Sequence, residues 1–187
     1  MYVLDDVLHF QTYDYILLYF NENSDSNLDG FALSQKYSSS PQYRCVSSYE
    51  DFVTAMNEIP HRHTNNIYIY LHSDYDDKRN EFHLVFYYAM NYYAEDILSD
   101  ISPLSIRGDI YLFSCHGANL APFLAQATGE TVIASYEGVS YKFGYACGGY
   151  KQRIREGWLF NVDRGWWAFY PSGECEHLSQ DCYLRGR

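Results

Sequence analysis

Two residues that together could perform nucleophilic catalysis each follow an apolar run of the chain. Cys115 follows the run Ile110–Phe113 and one serine, and His72 comes directly after the run 67–71. A cysteine thiolate is an intrinsically reactive nucleophile, and a nearby histidine increases the ionised fraction of the thiol. These residue types therefore predict a Cys–His dyad, provided that the fold brings the two runs together.

The elements around Cys115 are those of a strand, a helix and a second strand. The run Ile110–Phe113 is rich in β-forming residues and has the length of a strand buried on both faces. Gly129 suits the left-handed cap of a helix, and residues 131–134 predict the next strand. The helical pattern itself consists of apolar residues at spacings of three and four: Leu120, Phe123, Leu124 and Ala127. Cys115 would thus lie at the carboxyl end of a parallel strand, where open α/β sheets bind their ligands.

His72 ends another predicted strand, which precedes the Cys115 strand along the chain. An acidic turn over 74–77, a hairpin arm over 81–88 and a helix separate the two strands, which is enough chain for a crossover. If the strands are parallel neighbours, their ends lie about 5 Å apart, and the thiol and imidazole share one crevice. A helix beginning near Ala118 would direct backbone N–H groups at the same place, which favours an anion or an oxyanion.

The whole chain predicts a single α/β domain over residues 1–187. Its first part, 1–135, holds the strands and helices of a three-layer α/β/α sandwich with a mostly parallel central sheet. Its last part, 136–187, has glycines between short aromatic pieces, which predicts hairpins and loops. The remaining predicted elements are two strands over 13–20 and 43–46 and a helix over 50–59, with Ser47 or Ser48 as its cap.

Composition excludes several classes of function. The chain is 47% hydrophobic, as expected for a globular domain, and carries a net charge of −11. Such a surface repels phosphate backbones and anionic membranes, so we expect no nucleic-acid and no membrane partner. The first ten residues lack the basic region of a signal peptide, and no apolar run reaches the roughly 18 residues of a membrane span. The sequence predicts a chain that is cytoplasmic as synthesised, and its five cysteines predict no disulfide framework.

The residues around His72 and Cys115 resemble the motifs of the caspase-like cysteine peptidases. This family includes caspases, gingipains, clostripain and the autoprocessing or effector peptidase domains of bacterial toxins. In the family a histidine follows one central strand and a cysteine follows the next, each after apolar residues. Residues 67–72 match the first motif and residues 110–115 match the second. The continuation HGANL at 116–120 is most similar to the bacterial branch.

The resemblance implies a cysteine endopeptidase that needs no cofactor and no metal. Cys115 would attack the scissile carbonyl, His72 would serve as general acid and base, and the N–H groups of Ser73 and Cys115 would form the oxyanion hole. The likeness to the bacterial branch implies a toxin, an effector delivered into another cell, or a defence protease, each acting on a protein substrate. Apart from the resemblance, the acidic residues suggest that one carboxylate of the turn after His72, such as Asp74, or else Glu137 lies near the pocket and favours a basic residue before the cleaved bond.

Two departures from the family leave an inactive binding module as the alternative function. The family has glycine after the histidine where this chain has Ser73, and His116 stands between the cysteine and Gly117. The alternative is a caspase-like module that binds a protein partner through a surface rich in its 21 tyrosines. A third class, an acidic nucleic-acid mimic or immunity protein, accounts for the net charge but not for the two strand-end motifs.

Each candidate residue also has a purely structural interpretation. Cys115 could be a small core hydrophobe, His72 an ordinary strand-end histidine, and Asp74 part of a solvated turn. His116 is an alternative base, although adjacent residues on a tight turn point in different directions. His61 and His63 have the His-x-His spacing of metal ligands, but they lie in a polar loop with no obvious carboxylate partner, so a solvated loop is the simpler interpretation. A zinc site is also conceivable at the end of the chain, but the spacing there fits no tight ligand pair: Cys147, Cys175, His177 and Cys182.

Overall fold

The computed structural model describes residues 13–19, 42–86, 91–143, 150–154 and 165–179. The strands, in chain order, are β1 Tyr15–Tyr19, β2 Gln42–Val46, β3 Ile67–Tyr70, β4 His72–Asp76, β5 Glu81–Val85, β6 Ile110–Phe113, β7 Val132–Ser135, β8 Val139–Phe143, β9 Tyr150–Ile154, β10 Trp166–Phe169 and β11 Cys175–Ser179. The helices are α1 Tyr49–Asn57, α2 Ala94–Asp100 and α3 Ala121–Thr128, and a 3₁₀ turn at Gly117–Asn119 precedes α3.

A mixed sheet of seven strands organises the fold, in the order β11-β10-β7-β6-β3-β1-β2. The strands from β7 to β2 are parallel to their neighbours, whereas β10 and β11 pair in antiparallel fashion at one edge. Strands β3, β6 and β7 are buried along their whole length, as expected for the centre of a parallel sheet. The prediction of an α/β fold around a mostly parallel sheet is therefore confirmed.

The three helices contact one another in a row. The Asn57 side chain, at the end of α1, donates to the Asp100 carbonyl and accepts from the Ser102 N–H group, at 3.1 and 2.9 Å. Helix α2 packs against α3, and the Leu104 N–H group donates to the Thr128 carbonyl at 2.7 Å. The crossovers through α1, α2 and α3 all advance in one direction across the sheet. Because right-handed crossovers of one direction lie on one face of a sheet, these three helices share one face.

Local sequence explains where the helices begin and end. Helix α1 starts after Ser48, whose hydroxyl accepts the Asp51 N–H group at 3.1 Å as an N-cap does. Of the two predicted caps, Ser48 is the one that makes this bond. Helix α3 ends at Gly129, whose φ of 74° lies in the left-handed region that glycine adopts without strain.

Two hairpins, β4–β5 and β8–β9, pair outside the main sheet. The hairpin arm predicted over 81–88 is confirmed over β5, but the acidic turn predicted over 74–77 is wrong. The β4–β5 register ends with the pair of Asp76 and Glu81, so most of that segment is strand and the turn spans 77–80. Pairing with β5 satisfies the backbone groups of these acidic residues, and this tertiary contact overrides their turn propensity.

The C-terminal part of the chain contributes to the main sheet as well as forming hairpins. Strand β10 pairs with β7, with Trp166 opposite Ser135 and Phe169 opposite Val132, and β11 pairs with β10. The predicted hairpins are present as β8–β9 and β10–β11, but the part after residue 135 also completes the sheet of the first part. Among the described helices, none has both the length and the apolar character needed to cross a membrane.

Candidate active site

The carboxyl ends of β3 and β6 bring His72 and Cys115 to the same level of the sheet. Tyr70 lies opposite Phe113 in this parallel pair, and the Leu71 N–H group continues the ladder by donating to the Phe113 carbonyl at 3.3 Å. The same register, carried two residues past this pair, places His72 opposite Cys115. The predicted neighbourhood of the two strands is confirmed, and neighbouring strands are about 5 Å apart.

Glu137, two residues past the end of β7, lies at the same level of the sheet as Cys115. The parallel register of β6 and β7, carried past the end of both strands, places Glu137 opposite Cys115. The His116 N–H group donates to the Glu137 carbonyl at 3.0 Å, so the ladder reaches this far. We call His72, Cys115 and Glu137 the site row. All three residues of the site row are partly buried.

The turn that follows Cys115 has an uncommon backbone conformation. His116 has a φ of 57°, in the left-handed region that non-glycine residues rarely adopt. Its Nδ1 atom lies 2.6 Å from the Tyr136 carbonyl oxygen, and its own carbonyl accepts the backbone and side-chain N–H groups of Asn119 at 3.0 and 2.9 Å. Backbone conformations of this kind persist only where the surroundings hold them, and they are concentrated at functional sites.

The contact with Tyr136 decides the tautomer of His116. A ring nitrogen that faces a carbonyl oxygen must carry a proton, so Nδ1 donates and Nε2 is the acceptor of the neutral ring. The ring also lies near Phe82 of β5, with 5.5 Å between the ring centroids. His116 is therefore a positioned ring directly after Cys115 in the chain, with Nε2 as its acceptor nitrogen, and it stays the alternative base.

Backbone N–H groups in the turn after Cys115 are largely used by the turn itself. Gly117 donates to the Ser114 carbonyl at 3.1 Å, and Leu120 donates to the Gly117 carbonyl at 2.9 Å. The helix predicted from Ala118 begins instead as the 3₁₀ turn, and α3 follows it. An oxyanion would need other donors than these two, such as the N–H group of Ser73 on β4.

Ser73 links the strand that begins with His72 to the residue that carries the candidate nucleophile. The Ser73 hydroxyl donates a hydrogen bond to the Cys115 carbonyl oxygen. Ser73 is buried, so this bond is shielded from water. The resemblance assigned Ser73 a backbone role alone, and a single serine after a strand carries no sequence signal for such a contact.

The hairpin that carries His72 is anchored to the start of α2 through Tyr93. The Tyr93 hydroxyl donates to the Asp76 carboxylate at 2.6 Å, and this bond lowers the pKa of the Asp76 carboxyl group. The Arg79 guanidinium lies 3.7 Å from the centre of the Tyr93 ring and pairs with Glu95 at 2.9 Å. The hairpin is therefore held at its base by Ser73 and near its tip by Tyr93.

Aromatic side chains form the layer of the sheet directly beneath the site row. Tyr70 and Phe113 precede His72 and Cys115 by two residues on their strands, and their ring centroids are 4.9 Å apart. Trp166 of β10 meets Phe113 edge-on at 5.6 Å. All three aromatic side chains are fully buried, so the site row is supported by close packing within the sheet.

The two carboxylates predicted to bind substrate lie in different places. Glu137 belongs to the site row, one strand away from Cys115. Asp74 lies on the hairpin two residues beyond His72, is exposed, and accepts the Tyr75 N–H group at 2.8 Å. The structure therefore brings Glu137, but not Asp74, to the level of the candidate nucleophile.

The residues that resemble metal ligands do not cluster within the described part of the chain. No three His, Cys, Asp or Glu side chains there are arranged to hold a metal ion. The exposed members of the two sets are His61, His63, Cys175 and His177. Cys147 and Cys182 lie outside the described residues.

Gly117→Ala is expected to destabilise the turn beside Cys115. A Cβ atom at position 117 would lie 2.7 Å from the Ser114 hydroxyl oxygen and 3.3 Å from Cγ of Leu112. Because Ser114 and Leu112 are both buried, neither can move away without disturbing packed neighbours. We expect urea denaturation to show a loss of about 1–3 kcal/mol in the free energy of unfolding.

The double variant with Ser114→Ala identifies the cause of that loss. The Ser114 hydroxyl is buried without a hydrogen-bond partner among the described residues. Its removal alone should therefore leave stability unchanged or raise it by about 1 kcal/mol. In the double variant the cost of Gly117→Ala should fall by roughly half or more, since the crowded oxygen is gone. An undiminished cost would contradict crowding as the cause.

No protein-family model matches the sequence, and no curated protein matches it. A functional proposal for this chain therefore depends on the chemistry and geometry of the site row.

Proposed function

We propose that the chain is a cysteine endopeptidase of the caspase-like type, folded as an α/β/α sandwich, with Cys115 as nucleophile and His72 as general acid and base. The observation that carries the proposal is the parallel register of β3 and β6, which places His72 opposite Cys115 when it is carried two residues past its last pair. Open α/β sheets bind their ligands at this edge. The partial exposure of Cys115 supports the proposal, because a catalytic thiol must be reached by its substrate.

The proposed reaction has two stages that share one dyad. His72 takes the proton of the Cys115 thiol as sulfur attacks the scissile carbonyl carbon, and the resulting oxyanion accepts hydrogen bonds from the N–H groups of Ser73 and Cys115. His72 then protonates the leaving amine, and the acyl group stays on sulfur as a thioester. Water, deprotonated by His72, hydrolyses the thioester and restores the thiol.

The proposed substrate is a protein with a basic residue before the cleaved bond. Glu137 supports this choice, because it is one strand from Cys115 and a partly buried carboxylate attracts Lys or Arg more strongly than an exposed one. Asp74 would contribute from the exposed hairpin at longer range. The net charge of −11 also favours the approach of a basic segment. The role as a toxin, effector or defence protease rests on the resemblance of residues 116–120 to the bacterial branch alone.

A binding module without catalysis is the second candidate function. It is favoured by Ser73, which replaces the glycine of the resembled family and places a hydroxyl on the Cys115 carbonyl. If that contact closes the space that an oxyanion needs, the site row would hold a peptide without cleaving it. The two candidate functions then differ in one observable, the appearance of new protein termini.

The test compares the proteins cleaved in cells that express the wild type, Cys115→Ala or Cys45→Ala. New N termini are labelled and identified in each culture. We expect them with the wild type and with Cys45→Ala, and we expect none with Cys115→Ala. Cys45 is the matched control, because it is an exposed cysteine on β2, two strands away from β3 and the His72 end of the site row. Lys or Arg should be enriched before the cleaved bonds.

The outcome is interpretable only if the three proteins are folded alike, which circular dichroism and urea denaturation of the purified chains establish. The same set of termini from the wild type and from Cys115→Ala would overturn the peptidase proposal. Binding of a protein partner by both, with no new termini from either, would support the binding module.

A further inference from the structure

The parallel ladder between β3 and β6 has a regular pattern of donors up to the site row. The Ile67 N–H group donates to the Asp109 carbonyl at 3.0 Å, and the Leu71 N–H group donates to the Phe113 carbonyl at 3.3 Å. In a parallel ladder every second residue donates to the same neighbouring strand. The next donor in this series would be the Ser73 N–H group, and its acceptor would be the Cys115 carbonyl.

The Ser73 hydroxyl occupies the place of that ladder bond. It is the side-chain oxygen, rather than the backbone nitrogen, that donates to the Cys115 carbonyl. A carbonyl oxygen has room for two donors, but a hydroxyl at this position holds the backbone of residue 73 away from the strand it would otherwise join. The ladder therefore ends one donor earlier than its register allows.

The hairpin does not use the Ser73 N–H group either. Ser73 pairs with Leu84 on β5. Leu84 directs both of its backbone groups to the other side, where its N–H donates to Tyr92 at 2.8 Å and its carbonyl accepts from Tyr92 at 3.4 Å. In an antiparallel pair, hydrogen-bonded and non-bonded positions alternate, so the pair of Ser73 and Leu84 is a non-bonded one. The Ser73 N–H group thus points away from β5, toward the Cys115 side.

We infer that the Ser73 hydroxyl is a positioning group that keeps the Ser73 N–H available as a hydrogen-bond donor at the site row. The hydroxyl satisfies the Cys115 carbonyl in place of the amide, and the amide is left facing the space where substrate would bind. Ser73 is buried, and buried donors without an acceptor are rare enough in folded proteins to need an explanation, of which a catalytic role is one. The catalytic part of this inference, donation to an oxyanion, rests on the proposed peptidase function; the state of the amide does not.

Amide hydrogen exchange tests the state of the amide without any need for catalysis. The purified, ¹⁵N-labelled chain is compared in four forms: wild type, Ser73→Thr, Ser73→Val and Ser73→Ala. Thr and Val have nearly the same shape, and only Thr keeps the hydroxyl. The amide of residue 73 should exchange rapidly in the wild type and in the Thr variant. In the Val and Ala variants it should slow by about 100-fold or more, because the amide can then form the ladder bond to the Cys115 carbonyl.

The amide of Leu71 is the internal reference, since its bond to the Phe113 carbonyl does not involve residue 73 and its exchange should stay slow in all four forms. Two results would overturn the inference. One is a wild-type Ser73 amide as protected as that of Leu71, and the other is the same exchange rate in the Val and Thr variants. Neither result depends on whether the protein cleaves peptides.

Kinetics with a peptide taken from the identified cleavage sites test the catalytic part. Loss of one oxyanion donor in Ser73→Val should lower kcat by about 10²–10³-fold and change KM by less than about threefold, and Ser73→Thr should retain most of the activity. An active wild type with equal kcat for Val and Thr would contradict the donor role and leave the peptidase proposal intact. A wild type without activity would instead contradict the peptidase proposal, and the exchange data would still decide the state of the amide.

Discussion

Replacement of His72 by alanine is expected to lower kcat/KM for a cleaved peptide by about 10²–10⁴-fold while the chain stays folded. The register of β3 and β6, carried past Tyr70 and Phe113, places His72 opposite Cys115, and His72 is the imidazole of the site row. The loss should appear chiefly in kcat, because in the proposed mechanism the imidazole acts in the transition state and does not bind the peptide. Initial rates of the purified variants with a fluorogenic peptide measure it.

His116→Gly is the matched variant, because the left-handed φ of 57° at this position suits glycine and the turn can keep its shape. It removes the only other imidazole adjacent to Cys115 among the described residues. We expect His116→Gly to keep activity within about tenfold of the wild type, since the ring contributes contacts with Tyr136 and Phe82 but no proton transfer. The reverse pattern, an inactive His116→Gly beside an active His72→Ala, would assign the base to His116.

Trp166→Ala is expected to lower the free energy of unfolding by about 3–5 kcal/mol. Trp166 is among the largest fully buried side chains, packs edge-on against Phe113, and joins β10 to Ser135 of β7. Its removal would leave a cavity in the aromatic layer beneath Cys115, and close packing prevents the neighbours from filling it. Urea denaturation followed by far-ultraviolet circular dichroism measures the loss.

Two control variants show whether the loss comes from that buried layer. The Nε1 atom of Trp166 has no hydrogen-bond partner among the described residues, so Trp166→Phe should cost less than half as much as the alanine change. Trp167, the next residue, is half-buried and contacts Tyr136 and His177, and its replacement by alanine should cost roughly 1–2 kcal/mol. Equal losses at the two tryptophans would contradict the position of β10 within the main sheet.

The placement of His72 and Cys115 could be predicted because it depends on local patterns. Each residue follows a short apolar run, and such runs become buried parallel strands when a helix connects them. The order of elements then makes the two strands neighbours, and the carboxyl ends of parallel strands meet at one edge. The position of Glu137 opposite Cys115 could not be predicted in this way, because it depends on the register between β6 and β7.

Other features of the site depend on contacts between residues distant in sequence. The turn over 74–77 was predicted from acidic residues, but pairing with β5 extends the strand to Asp76. Nothing in the sequence near Tyr93 indicates that its hydroxyl would hold the hairpin through Asp76. These contacts join segments through tertiary packing, and propensity describes only the chain close to each residue.

By itself, the sequence determined the class of fold, the strands that precede His72 and Cys115, and the helix capped by Gly129, because periodicity and caps act over a few neighbouring residues. Tertiary structure alone decided the register that aligns the site row, the left-handed His116, and the bond from the Ser73 hydroxyl to the Cys115 carbonyl. It also decided that β10 completes the sheet beneath the site row. Each of these requires atoms from separate segments to meet, and the free energy of such contacts exists only once the chain has folded.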